Sequence, residues 1–248
     1  MRPILAFAGP SLPVENRRLS GFDWRPPAAA GDLIALIADP PAKLCLIDGY
    51  FDGTAAPWHK EILALMEAGT QVFGAASMGA LRAAELDRFG MVGVGSIYRA
   101  YRDGRLDGDD EVALIHATER LGWAALTVPM VEIRATLAAA CRKRLLSVTA
   151  ARLIRTAVHA IHFDSRDWPA IERTCADARL AHAATLGSLR RLHVPLKRID
   201  ALECLHTAFA WSGEPKPAPS APRTRFIREL ARRKAVEPQL LRMHAKAR

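Results

Sequence analysis

The stretch Val72-Phe73-Gly74-Ala75-Ala76-Ser77-Met78-Gly79-Ala80 reads as a buried strand, a tight turn and the start of a helix. A short apolar run closed by small residues suits a strand buried on both faces. The residues from Met78 to Leu86 then carry helical spacing. Upstream, the same alternation recurs. Leu44-Cys45-Leu46-Ile47 is an apolar strand ending on Asp48-Gly49, and residues 3–9 form another, ended by Gly9-Pro10. Between strands lie two amphipathic helices. One opens at Gly31-Asp32 and runs from Leu33 to about Ala38, where Pro40-Pro41 stops it. The other runs from Pro57-Trp58-His59 to Gly69. The segment with Pro13, Pro26 and Pro27 reads as a polar loop. Gly90–Gly95 reads as a glycine-rich loop before a helix through Ile97, Tyr98 and Tyr101. Strands alternating with helices predict an α/β fold: a parallel sheet of Rossmann-like or flavodoxin-like βαβ units.

Beyond residue 128 the pattern is helical throughout, in the stretches 130–146, 149–161, 168–192 and 196–211, with Pro129, Pro169 and Pro195 near helix starts. The expected organisation is an α/β core over 1–127, a helical subdomain over 128–212, a Pro-rich linker over 213–222 and a basic tail, helical or disordered, over 223–248. The tail also explains the charge. The net charge is +9, yet ten Lys/Arg against three Glu fall between Glu214 and Arg248. A nucleic-acid-binding surface within the folded part is therefore not expected. The tail reads as a mobile segment that attracts an acidic partner. The four cysteines show no C-x-x-C or zinc spacing, no stretch approaches membrane-spanning length, and a cytoplasmic protein is expected.

In parallel sheets the working residues gather at the carboxyl ends of the strands. Three loops should meet there: Gly9–Pro13, Asp48–Asp52 and Ala76–Gly79. Ser77, before Met78-Gly79 and a helix, resembles a nucleophile elbow, although Ala75 stands where the strict pattern has glycine. A plain serine helix cap is the alternative. His59 can act as a base, Lys60 can pair with an anion, and Glu61 can orient a partner. Asp48 can orient a histidine or cap a turn. Ser11 and its neighbouring amides can supply an oxyanion donor or only shape a loop. Asp107, Asp109, Asp110 and Glu111 fit an acidic helix start better than a cation site. The glycines of 90–95 lack the spacing of a dinucleotide fingerprint. No metal and no cofactor is expected.

Together, Gly9-Pro10-Ser11-Leu12-Pro13, Pro26-Pro27-Ala28 with Gly31-Asp32, Ile47-Asp48-Gly49-Tyr50-Phe51, Trp58-His59-Lys60-Glu61-Ile62-Leu63 and Gly74-Ala75-Ala76-Ser77-Met78-Gly79-Ala80-Leu81-Arg82-Ala83-Ala84-Glu85-Leu86 resemble the TfuA-like core domain. Gly90–Ile97 and Asp109-Asp110-Glu111-Val112-Ala113 extend the likeness, which covers roughly residues 3–145. One departure is that Gly108 splits the acidic run. The resemblance implies a role beside a YcaO-type enzyme in peptide-backbone thioamidation. Sulfide would come from hydrolysis of the C-terminal thiocarboxylate of a ThiS-like sulfur carrier. The site then reads as Ser77, nucleophile or carbonyl holder; His59, base; and Asp48 or Glu61, orienting it. Amides near Ser11 and Met78-Gly79 would hold the oxyanion, with Lys60 and Arg82 near the substrate and Arg82 able to pair with Glu85. The alternatives are a non-catalytic adaptor or activator of YcaO, and a nucleotide-binding enzyme argued from fold alone.

Overall fold

The computed structural model describes residues 2–51, 53–215, 218 and 220–246. Asp52 of the second loop, residues 216, 217 and 219 of the Pro-rich segment and residues 247–248 of the tail lie outside the described residues. The chain forms two compact units. One comprises Met1–Arg105 with Ile199–Arg248, and the other is Leu106–Arg198.

The first unit is built on five parallel strands: β1 (Ile4–Phe7), β2 (Phe22–Arg25), β3 (Lys43–Leu46), β4 (Gln71–Gly74) and β5 (Val92–Gly93). Their order is β2-β1-β3-β4-β5, with every pair parallel. This is the flavodoxin-like order of a doubly wound α/β sheet. Three helices join the strands, α1 (Asp32–Ala35), α2 (His59–Glu67) and α3 (Met78–Leu86), and α4 (Gly95–Arg102) follows β5.

Two strands fall where loops were expected. β2 occupies the segment read as a polar loop. It is an edge strand, Phe-Asp-Trp-Arg, none of whose residues is fully buried. An edge strand needs no continuous apolar run, so its pattern does not announce it. β5 is only two residues long and lies within the glycine-rich stretch.

The interior strands are apolar on both sides because helices cover both faces. On one face, alternate residues Ile4, Ala6 and Ala8, Cys45 and Ile47, and Phe73 and Ala75 form a buried cluster with Ala201, Cys204, Leu205 and Ala208. The period of two along each strand selects this set. On the other face α2 and α3 pack against β4, and α3 also reaches β3.

The second unit holds α5 (Met130–Arg142), α6 (Val148–His159), α7 (Trp168–Asp177) and α8 (Ala183–Leu192). The expected helix over 168–192 is two helices, because the chain turns at Arg179 in the left-handed region (φ 52°). Met130, Ile133, Leu137, Ile154, Val158, Ile171 and Leu186 form its own core. The acidic run is bound up in this unit. Glu111, buried, takes both Nε and a terminal nitrogen of Arg134, the former at 2.9 Å. Asp110 lies 3.8 Å from the buried guanidinium of Arg166 and 3.8 Å from His159.

The chain then forms α9 (Leu196–Ala210), α10 (Arg225–Arg233) and α11 (Glu237–Lys246). The segment 223–246 is mostly helical, in α10 and α11, and is anchored rather than loose. Ile227, Ala231 and Leu240 are wholly buried, and Arg223 bonds Glu67 at 2.9 Å in a nearly buried ion pair. No helix among the described residues is long and apolar enough to cross a membrane.

Candidate functional site

The carboxyl ends of β1, β3 and β4 hold the three loops together. Asp48, 1% exposed, follows β3 and reaches over to the loop after β1. Its Oδ2 accepts the amides of Gly9 (2.7 Å) and Ser11 (3.0 Å), and its Oδ1 accepts the Ser11 hydroxyl (2.6 Å). β1 and β3 flank the point where the strand order reverses, the usual ligand crevice of such sheets. Here an internal carboxylate occupies that crevice. Ser11 therefore spends both its amide and its hydroxyl on Asp48, and neither is left as an oxyanion donor.

The turn after β4 is built differently. Ala76 has φ 66°, and the Ser77 amide donates to Ala75 O across it (2.8 Å). That is a γ-turn of the strained, positive-φ kind, at a residue with a Cβ. Two close approaches hold it. A Cβ on Gly79 would lie 1.7 Å from Leu46 O, and one on Gly74 would lie 2.2 Å from Gly79 O. Only glycine lets the first turn of α3 sit on β3 so closely, and Gly79 uses that approach to donate to Ile47 O (3.3 Å). The Met78 side chain lies against the Asp48-Gly49 turn: a Cβ on Gly49 would be 2.9 Å from Met78 Cγ.

Ser77 stands at the N-cap of α3, 2% exposed, with φ −125° and ψ −123° and no side-chain cap bond. An ordinary serine cap would accept an amide of the first turn; this one does not.

The neighbouring helix starts show what such ends normally receive. Glu61, wholly buried, accepts the amides of Gly31 (2.7 Å) and Ile34 (3.3 Å) at the start of α1 and that of Trp58 (3.0 Å) at the start of α2. Burial pushes its pKa above the ordinary range despite those three bonds. Asp200 of α9 does the same for α4, accepting Ile97 N (2.7 Å) and Ser96 Oγ (3.0 Å), and burial raises its pKa too. That carboxylate sits where a phosphate would rest on a Gly-rich loop and helix start, so the glycines of 90–95 offer no phosphate seat. The starts of α1, α2 and α4 are thus each served by an internal carboxylate, and the start of α3, behind Ser77, receives none among the described residues.

His59 begins α2, and its side chain is 45% exposed. Its Nε2 bonds Glu85 Oε2 at 2.6 Å, and Arg82 bonds the same oxygen at 2.8 Å. Arg82 also donates through Nε to Pro57 O (3.0 Å), which ties α3 to the loop before α2. Burial works against the Glu85 charge, but the bonds from His59 and Arg82 outweigh it and hold its pKa below the ordinary range.

The carboxylate on His59 is therefore Glu85, and neither Asp48 nor Glu61 touches the imidazole; both are spent on backbone amides. Glu85 was expected only as a partner for Arg82, because the pairing with His59 crosses from α2 to α3 over 26 residues of sequence. Glu85 also lies eight residues beyond Ser77, roughly 12 Å along the helix axis. Ser77 and His59 make no hydrogen bond to each other. Lys60 reaches Thr224 Oγ1 (3.2 Å).

No curated protein matches the chain. The family comparison does return a match, over residues 48–167, a segment that begins at Asp48 and includes His59, Ser77, Arg82, Glu85 and the acidic run. The family so matched is that of TfuA-like proteins, and the likeness holds over residues 48–167.

Proposed function

We propose that this protein, as a TfuA-like protein, releases sulfide for YcaO-dependent backbone thioamidation by hydrolysing the C-terminal thiocarboxylate of a ThiS-like carrier at Ser77. The TfuA-like family supports an accessory role beside a YcaO enzyme; the hydrolysis and its carrier substrate are our own reading. One observation carries it. Ser77 sits on a strained turn at the start of α3, makes no cap bond, and receives no internal carboxylate.

In this reading Ser77 Oγ attacks the thiocarboxylate carbon, a C–O bond forms, and the C–S bond breaks to release hydrosulfide. Water then cleaves the seryl ester, giving the carrier carboxylate and restoring the hydroxyl. The Met78 amide and the positive end of the α3 dipole favour the oxyanion. His59, whose Nε2 is fixed by Glu85, takes the proton through Nδ1 by way of a water. Arg82 holds Glu85 and the Pro57 carbonyl, so it positions this base, and Lys60 stands beside it as a cation for the carrier tail. Asp48 and Glu61 keep the loops in place.

The test is incubation of the purified protein with a thiocarboxylated carrier, following sulfide and the carboxylate product. Ser77→Ala should lower the rate by about 10²-fold or more, and His59→Ala by about 10²-fold. Wild-type rates from both variants would overturn the assignment. A second reading, a non-catalytic adaptor or activator of YcaO, is favoured by the lack of a Ser77–His59 hydrogen bond and by the commitment of Ser11 to Asp48. It predicts no sulfide from this protein alone, but faster ATP turnover by the YcaO enzyme when it is added.

A further inference from the structure

The first turn of α2 and the helix α10 face one another across an open cleft of about 350 Å³, lined by Trp58, His59, Lys60 and Phe226. Phe226 is 73% exposed and meets Trp58 edge-on, with ring centroids 6.3 Å apart. The buried residues Ile227 and Ala231 fix α10 against the body of its unit. Phe226 is thus an exposed ring on a firmly seated helix.

A second cavity of about 300 Å³ adjoins it along α10, lined by Arg225, Arg228, Glu229 and Arg232. The three arginines are spaced i, i+3, i+7 and make one stripe. Arg228 and Arg232 pair with Glu237, and Arg232 also with Glu229; Arg225 has no ion pair among the described residues. These pairs are exposed on the arginine side and contribute little to stability, so an incoming carboxylate can join or replace them. With Lys60 lining the cleft and Arg233 next in sequence, cations outnumber the two glutamates.

From these features we propose that the cleft docks an acidic, extended segment of a partner protein, one apolar side chain lying in the cleft against the Trp58–Phe226 pair and carboxylates lying on the arginine stripe. The spacing fits. Arg225 to Arg232 spans roughly 10 Å of helix, about the length of three extended residues. Alternate residues of an extended chain lie roughly 7 Å apart, so three of them span roughly 13 Å, a little more than the stripe and within reach of the long arginine side chains. The glutamates interleaved in the stripe disfavour a continuous phosphate backbone, which separates this surface from a nucleic-acid site. The inference stands on the cleft alone and does not depend on the thioamidation reading.

The probe is a fluorescein-labelled peptide with three glutamates at alternate positions and one phenylalanine, titrated with the full chain and read by anisotropy. Saturable binding is expected, weakened about tenfold by Arg225→Glu, by Phe226→Ser, and by replacing the peptide's phenylalanine with serine. Added salt should weaken it further. Both substituted residues are exposed, so the variants should keep the wild-type thermal midpoint. The proposal is overturned by no saturable binding, or by binding indifferent to both variants. Tighter binding of a single-stranded oligonucleotide that ignores Phe226→Ser would also overturn it. So would a dimer in sedimentation that Phe226→Ser dissolves, because a second copy would then be the occupant.

Discussion

Asp48 and Ser77 are both buried polar residues on the same sheet edge, but they differ in what meets their oxygens. Asp48 has three donors and makes a joint between β1 and β3. Removing its carboxylate leaves two amides and a hydroxyl without an acceptor, each unmet buried group costing about 1–3 kcal/mol. Asp48→Ala should therefore lose about 3 kcal/mol or more in urea denaturation, while Asp48→Asn, which keeps an acceptor oxygen, should lose clearly less. Equal losses would mean that the bonds to Gly9 and Ser11 do not hold the loops. Ser77 has no such structural bond, so Ser77→Ala should change stability by less than about 1 kcal/mol. Its effect should appear in sulfide release. A large stability loss without any change in that rate would make Ser77 a packing residue.

At the scale of elements, the sequence was legible where burial left a mark. β1, β3 and β4 are apolar on both faces because helices cover both, and their turn residues stand at the expected places. β2 was not legible because it lies at the edge and carries Asp23 and Arg25. Of the site, the convergence of the loops could be read, since parallel strands put all their carboxyl ends together. The partners could not. Glu85 meets His59 through the packing of two helices, and Asp200 meets α4 across 103 residues; no local spacing encodes either.

The Asp200 contact makes its own prediction. Its folded pKa is raised by burial from an ordinary value near 3.8. The folded state thus binds the proton more tightly than the unfolded chain does. This contribution to stability is complete below about pH 3.8 and is lost as pH rises through the raised folded pKa. Asp200→Asn cannot titrate. The stability of wild type relative to the variant, from urea midpoints, should be greatest in acid and should shrink as pH rises through that window. A difference that grows with pH would show that the amides of α4, rather than burial, dominate this carboxylate.

For the whole molecule, the basic excess of the last residues suggested an appendage, but the fold uses them as structure. α10, α11 and the turn between them bury Ile227, Ala231, Val236 and Leu240 within the sheet-bearing unit, and Glu67 receives Ala221 N, Ser220 Oγ and Arg223. The charge remains outside, where Arg225, Arg228 and Arg232 are exposed. One segment therefore closes part of a core and presents a cationic stripe. Deleting residues 223–248 should consequently do more than remove charge. Burial of an aliphatic side chain contributes about 1.5–3 kcal/mol, so losing Ile227 and Leu240 alone should cost about 3–6 kcal/mol, and Glu67 would lose its arginine. The helical unit keeps its separate core. The truncated chain should therefore melt in two steps, with an early transition for the sheet-bearing unit that the intact chain lacks. Substituting Arg225 and Arg228 by Ser should change the melt little, since both residues are exposed and the Arg228–Glu237 pair is half in water and contributes little. An unchanged melt after the deletion would return these residues to the status of a loose tail, and the acidic-partner surface would lose the rigid helix on which its spacing depends.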